Sequence, residues 1–285
     1  MELTNINVIK DLFTRYGFSF TKSLGQNFLI NPAVCPKIAE QGGCNTQWGA
    51  LEIGTGVGVL TKELALRSKK VVAIEIDTGL KPILEETLAE FDNVEIVFGD
   101  VMELDLAAII REKFAGMNVV VCANLPYYIT SPVIMRLLEE RLPISAVTVM
   151  VQREAADRLC AKLGDRECGA VTVAVNYYSK PKLLFKVSRG SFTPSPNVDS
   201  AVIRLDIFPE KQYDVEDEAL FFRIVRSCFA QRRKQLINPL SSELKIPKAT
   251  LAEYLRNCGI KATARPEELK MEDFVALYKE IATHN

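Results

Sequence analysis

At 285 residues, with 48% hydrophobic and 25% charged side chains, the chain holds one large globular domain, or one domain with a small companion. No apolar run approaches the roughly 18 residues a membrane-spanning helix needs. The N-terminus, with Glu2 and Asp11, does not read as a secretory leader. The net charge of −1 announces no polyanionic partner, and the single histidine, His284, argues against Ser-His or Cys-His nucleophiles and a His-ligated metal.

Residues 1–47 read as a helical and loop extension. From 48 onward short apolar runs rich in β-branched residues alternate with helical patterns. The runs at 48–54, 71–77, 94–100, 117–124 and 145–152 predict strands covered on both faces. Helices are expected over 57–67, 79–90, 105–115 and 131–141. The alternation implies an α/β domain with a doubly wound, mostly parallel sheet. Two further strands are expected at 169–178 and 200–208, flanking the proline-rich loop 192–197 and forming an edge hairpin. From 209 to 285 the pattern is helical, punctuated by Pro239, Pro247 and Pro266. The expected domains are therefore 1–208 and a small all-helical 209–285.

The seven cysteines are odd in number and scattered, without a C-x-x-C pair. They read as reduced cytosolic thiols rather than a zinc site, and no metal is expected. Charge is uneven along the chain. Residues 12–39, 168–198 and 219–242 contain no Asp or Glu. They carry Arg15, Lys22 and Lys37; Lys180, Lys182, Lys186 and Arg189; and Arg223, Arg226, Arg232, Arg233 and Lys234. Three such stretches are the footprint expected of RNA contact, although each alone fits a solvated helix face.

Glycines at 54, 56 and 58 follow a strand and precede a helix. Glycine there lets the backbone turn tightly and approach a ligand closely. The spacing G-x-G-x-G is not that of a dinucleotide binder. Glu75 closes the next strand, where a carboxylate accepts both hydroxyls of a ribose. Asp100 closes the third, where it accepts from an adenine amine. Carboxyl ends of adjacent parallel strands are where such sheets bind ligands, and an adenosine-type cofactor is expected.

Asn124-Leu125-Pro126-Tyr127 closes the fourth strand. It is similar to the signature of methyltransferases that act on exocyclic amines. Adenine's amine is a poor nucleophile because its lone pair is delocalised into the ring. The Asn124 side-chain oxygen and the Leu125 carbonyl offer two acceptors for its two hydrogens. Pro126 restrains the loop and Tyr127 offers a face for the base. Catalysis by positioning and preorganised dipoles needs no histidine. Phe192 either clamps the other face of the base or simply packs its loop. The target base must leave its stack, so flipped or single-stranded nucleic acid is expected.

Taken together, these residues resemble the ribosomal RNA adenine dimethyltransferase family, and within it the bacterial small-subunit members. The resemblance runs over nearly the whole chain. KSLGQNFLIN (22–31) resembles the N-terminal cofactor motif, LEIGTGVGVLT (51–61) the glycine loop, EID (75–77) the ribose motif and GDVMELD (99–105) the adenine motif. MVQREAADRL (150–159), FTPSPNVDSAVIRL (192–205) and FAQRRKQL (229–236) are similar to further family signatures. Thr55 stands where the family usually has proline, and Asn31 replaces a common aspartate.

The resemblance implies a Rossmann-like methyltransferase sheet using S-adenosyl-L-methionine. Its cofactor would be held by Asn27, Leu29, Gly54, Gly56, Glu75, Asp100, Val101 and Asn124. It further implies N6,N6-dimethylation of two adjacent adenosines near the 3′ end of small-subunit (16S) ribosomal RNA, during subunit biogenesis in the cytoplasm. RNA contact is expected through Arg226, Arg232, Arg233 and Lys234, by a monomer without membrane association.

Three rival readings remain. A large-subunit (23S) adenine methyltransferase of the macrolide-resistance type shares several motifs, but Val57 stands where that group commonly has lysine. A non-catalytic assembly factor would have no reason to keep the amine-holding loop. A DNA adenine methyltransferase would call for a sequence-reading helix, and none is apparent.

Overall fold

A computed structural model describes residues 1–19, 27–231 and 234–284. Lys22 and the first half of the N-terminal motif, together with Arg232 and Arg233, lie outside the described residues.

The chain opens with α1 (Ile6–Arg15), the two-residue strand β1 (Phe28–Leu29) and α2 (Val34–Gln41). Alternation then begins: β2 (Gly49–Ile53), α3 (Val59–Ala65), β3 (Lys70–Glu75), α4 (Lys81–Thr87), β4 (Val94–Phe98), α5 (Leu106–Phe114), β5 (Val119–Asn124), α6 (Thr130–Glu139) and β6 (Ala146–Gln152). Next come α7 (Arg153–Leu159), α8 (Ala170–Tyr178), β7 (Ser179–Val187), β8 (Phe192–Thr193) and β9 (Ser200–Ile207). Four helices close the chain: α9 (Glu218–Phe229), α10 (Ile237–Leu244), α11 (Lys248–Asn257) and α12 (Met271–Thr283).

Seven strands form one sheet in the order β4-β3-β2-β5-β6-β9-β7. The pairs from β4 through β6 are parallel, and β9 runs antiparallel to β6. Every residue of β2 is buried, as a central strand covered on both faces requires. From β2 the chain winds outward to β4, then returns to place β5 on the other side of β2. The strand order thus reverses between β2 and β5, which opens a crevice at their carboxyl ends. Ile53 pairs with Ala123, so the turns after β2 and β5 leave the sheet side by side. Helix starts follow local chemistry: Asp105 accepts from the Ala108 amide at 2.8 Å to cap α5, and Pro82 sits in the first turn of α4.

Two expectations fail. Residues 169–178 were expected to be a strand and are helical. Their apolar residues face the core on several sides, so no period separates helix from buried strand, and β-branched composition favoured the wrong answer. Tertiary contacts decide it. Tyr177 and Tyr178 donate to the Glu218 carboxylate at 3.2 and 3.0 Å, and their rings lie among Phe221 and Phe222. The expected edge hairpin is therefore replaced. Strand β9 pairs with β6, and the unanticipated β7 takes the edge.

The chain divides into two units, 1–156 with 181–207, and 157–180 with 208–285. The C-terminal helices thus recruit 157–180 from mid-chain, where a single cut at 208 was expected. Phe221, Ile224, Leu240, Leu251, Phe274 and Leu277 are fully buried in the second unit. Among the described residues no helix is long and apolar enough to cross a membrane, and no cluster of His, Cys, Asp or Glu is placed to hold a metal. Among the described residues no two cysteines are joined by a disulfide.

Candidate active site

The glycine loop after β2 depends on its residue type. Gly54 and Gly56 have φ of 79° and 53°, the left-handed region that side chains disfavour. A methyl on Gly54 would meet the Asn124 carbonyl at 3.9 Å, and one on Gly56 would meet the Phe28 ring at 3.5 Å. The loop is therefore flanked by the end of β5 and by the N-terminal motif.

Glu75, buried at the end of β3, organises this loop. Its Oε2 accepts from the Thr55 amide at 2.9 Å, the Thr55 hydroxyl at 2.8 Å and the Gly56 amide at 3.3 Å. Its Oε1 accepts from the Asp77 amide at 2.9 Å and keeps lone-pair capacity for a ligand. A proline at 55 would supply neither Thr55 donor, so this departure adds two bonds.

At the end of β4, Asp100 Oδ1 accepts from the Met102 amide at 2.8 Å. Oδ2 has no protein partner among the described residues. At the end of β5, Asn124 is half-buried and Leu125 is 3% exposed. Neither the Asn124 side-chain amide nor the Leu125 carbonyl is claimed by another described residue. The Pro126 carbonyl is used, accepting from the Ile129 amide at 3.1 Å and the Thr130 hydroxyl at 3.2 Å to seal the turn into α6. Tyr127 is fixed by a 2.8 Å hydrogen bond between its hydroxyl and that of Ser200, and burial pushes its phenol pKa up.

The N-terminal motif is held down by a two-residue antiparallel ladder. Leu29 pairs with Phe192 and Phe28 with Thr193, and Asn31 donates to the Ser191 hydroxyl at 3.1 Å. An aspartate at 31 would lack that donor. Phe192 is 4% exposed and belongs to a core cluster with Leu29, so packing is much of its role, yet it also lines the cleft.

All these residues converge. Asn27, Leu29, Gly54, Gly56, Glu75, Asp100, Val101, Asn124, Leu125, Pro126, Tyr127 and Phe192 line one cleft of about 1130 Å³, counted out to open solvent. Sequence reading missed several neighbours. Tyr128, 60% exposed, and Ile76, 47% exposed, also line the cleft. Adjacency to known motifs was their only signal. Glu52 lies in its wall with 0% exposure and no hydrogen-bond partner for either carboxyl oxygen. Burial pushes its pKa well above the usual carboxylate range, and Glu75 adds to this. The Cys35 thiol in the same wall is pushed up by burial, so it is no thiolate nucleophile at neutral pH.

Two of the expected RNA-contact residues, Arg226 and Lys234, are among the described residues and belong to the second unit. Arg226 is exposed on α9, three residues from exposed Arg223, and Lys234 is also exposed. Other members of the basic stretches are neutralised by acids distant in sequence. Arg15 is forked onto Glu86 at 2.7 and 2.9 Å and holds that carboxyl down at about 2, with help from Tyr16. Lys182 pairs with Asp206 at 2.7 Å.

Comparison with known proteins places this geometry. The family described as ribosomal RNA adenine dimethylase matches residues 17–283. Ribosomal RNA small subunit methyltransferase A of Geobacillus thermodenitrificans is 50% identical, covering 94% of this chain and 93% of its own. Its Bacillus cereus counterpart is 46% identical over 99% and 98%. Among solved structures, a dimethyladenosine transferase from Plasmodium falciparum superposes with a TM-score of 0.75 at 26% identity, over 90% of this chain and 97% of that one. The 23S rRNA methyltransferase ErmE gives 0.69 at 26% identity, over 90% and 100%. The chain belongs to the ribosomal RNA adenine dimethylase family.

Proposed function

We propose that the chain N6,N6-dimethylates two adjacent adenosines near the 3′ end of 16S ribosomal RNA, using S-adenosyl-L-methionine, during small-subunit biogenesis in the cytoplasm. The observation that carries this reading is the pair of unclaimed acceptors, Asn124 Oδ1 and the Leu125 carbonyl, at the end of the strand beside the glycine loop.

The cleft fits the cofactor. Glu75 Oε1 is available to ribose hydroxyls and Asp100 Oδ2 to an adenine amine. The glycine loop offers unhindered backbone, and the orphaned Glu52 carboxyl, held protonated by burial without a ligand, would ionise beside the cationic end of an amino acid. Such a cofactor, when bound, supplies a methyl on a sulfonium. The chain's own residues do the rest. Asn124 and Leu125 accept the two N–H groups of the target amine, which turns its lone pair toward the donor. Tyr127, locked by Ser200, presents a rigid ring to the base. The amine proton leaves to water after transfer, so no strong base is needed.

The small-subunit target is supported by the 46–50% identity to the two bacterial relatives described above. The test is to incubate the protein with labelled cofactor and undermethylated small subunits, with large subunits and duplex DNA as controls, and to identify the modified nucleoside by mass. Dimethyladenosine in small subunits alone is expected. Label in large-subunit RNA would instead favour the resistance-type activity. Cofactor binding without label anywhere would favour an assembly factor.

A further inference from the structure

One guanidinium links the two halves of the cleft. Arg136 lies in the last turn of α6 with its side chain only 15% exposed. Its Nη1 donates to the Val101 carbonyl, its Nη2 to the Leu104 carbonyl at 2.7 Å, and its Nε to Glu140. Val101 and Leu104 belong to the loop that starts at Asp100. That loop is closed on its own amides: the Asp100 carbonyl accepts from Glu103 and Leu104, and Oδ1 from Met102. Arg136 satisfies two further carbonyls of the loop, those of Val101 and Leu104, from outside. Only a planar fork reaches two carbonyls at once, and lysine offers a point charge on a flexible stem.

Helix α6 is also the continuation of the Asn124–Tyr127 loop, sealed by the bonds to the Pro126 carbonyl. From Thr130 to Arg136 is about 9 Å of rigid helix. The same element therefore emerges from the amine-holding loop and grips the loop that bears Asp100.

We propose that Arg136 is a positioning residue that sets the Asp100 carboxylate in register with the amine-holding loop, and so governs selection of the adenine base of the cofactor. This rests on the reading of Asp100 given under the proposed function. Asp100 accepts from an exocyclic amine, so an adenosyl ligand is favoured over an inosyl one, which presents a carbonyl oxygen at that place.

The experiment is calorimetric titration of the whole protein with S-adenosylhomocysteine and S-inosylhomocysteine, for the unsubstituted chain, Arg136→Met and Arg136→Lys. Thermal midpoints serve as folding controls. Arg136→Met is expected to lose about tenfold in affinity for the adenosyl ligand, the scale of one charge-assisted hydrogen bond. It should lose little for the inosyl ligand, so the preference collapses. Arg136→Lys, which keeps the charge but not the fork, should fall between. In turnover, KM for the cofactor should rise more than kcat falls. A preference that persists in both variants would overturn the role of Arg136 alone, as would equal losses for both ligands. An unsubstituted chain that does not discriminate would overturn the reading of Asp100, and this proposal with it.

Discussion

Glu75 reaches the glycine loop from the end of the next strand and Glu52 precedes it in sequence, and their surroundings are opposite. Glu75 is buried but surrounded by amide and hydroxyl donors, whereas Glu52 is buried with none. A carboxyl without donors resists ionisation. In the unfolded chain it titrates near the ordinary value of about 4.3, and in the fold well above that. Below about pH 4 both states are protonated and nothing is lost. As pH rises the unfolded state ionises first, so this contribution to stability drains away through the folded pKa. Glu52→Gln removes the titration. Without cofactor, its thermal midpoint should exceed the parent's at neutral pH, and the gap should close near pH 4. A gap that ignores pH would show that Glu52 is not held protonated. Asn124 calls for a different measurement. Its side-chain amide has no described protein partner, so Asn124→Ala should leave the fold intact. Turnover should fall about 10²-fold or more, the scale of a lost preorganised contact. Cofactor affinity, by titration, should fall far less; equal loss of both would mean that Asn124 serves the cofactor rather than the amine.

Each strand from β2 to β6, and each helix between them, lies within a few residues of its sequence expectation, because a parallel sheet buried on both faces leaves continuous apolar runs. The motif residues at the strand ends were legible for the same reason: residue type and strand terminus together locate them. Other elements left no such signal. β1 and β8 are two residues long and have no period to read. β7 contains Pro181, which argues against a strand except at an edge, where it lies. Glu52 and Arg136 owe their roles to neighbours that packing supplies. The misread helix α8 shows what overrode its composition. The Thr172 hydroxyl accepts from the Gly169 amide at 2.9 Å, capping the helix, and donates to the Arg158 carbonyl at 2.8 Å. Thr172→Val keeps the shape and the β-branching but takes from the Gly169 amide its acceptor and from the Arg158 carbonyl its hydroxyl donor. It should cost about 1–3 kcal/mol in urea denaturation, the penalty for buried polar groups left unpaired. An unchanged midpoint would mean that aromatic packing around Tyr177 fixes the helix alone.

Across the whole molecule, a net charge of −1 and an expected RNA substrate are reconciled only by how charge is distributed. Acid-free stretches of sequence are not acid-free surfaces: Arg15 and Lys182 are matched by Glu86 and Asp206. Arg226 and Lys234 are exposed, and among the described residues neither is given an ion pair. They flank the Arg232-Arg233 pair in sequence, within a stretch that holds no Asp or Glu. We propose this segment as the phosphate contact. Each phosphate neutralised by a basic side chain releases condensed counterions, so the logarithm of affinity falls with the logarithm of salt by about 0.7–0.9 per contact. Replacing Arg226, Arg232, Arg233 and Lys234 together with alanine should therefore weaken binding to small subunits and flatten that slope by up to about 3. Replacing Arg15 and Lys182, whose charges are already matched, should leave the slope nearly unchanged. A slope that survives the fourfold change would move the phosphate contact elsewhere on the molecule. A slope lost through Arg15 and Lys182 would show that those ion pairs open to receive RNA.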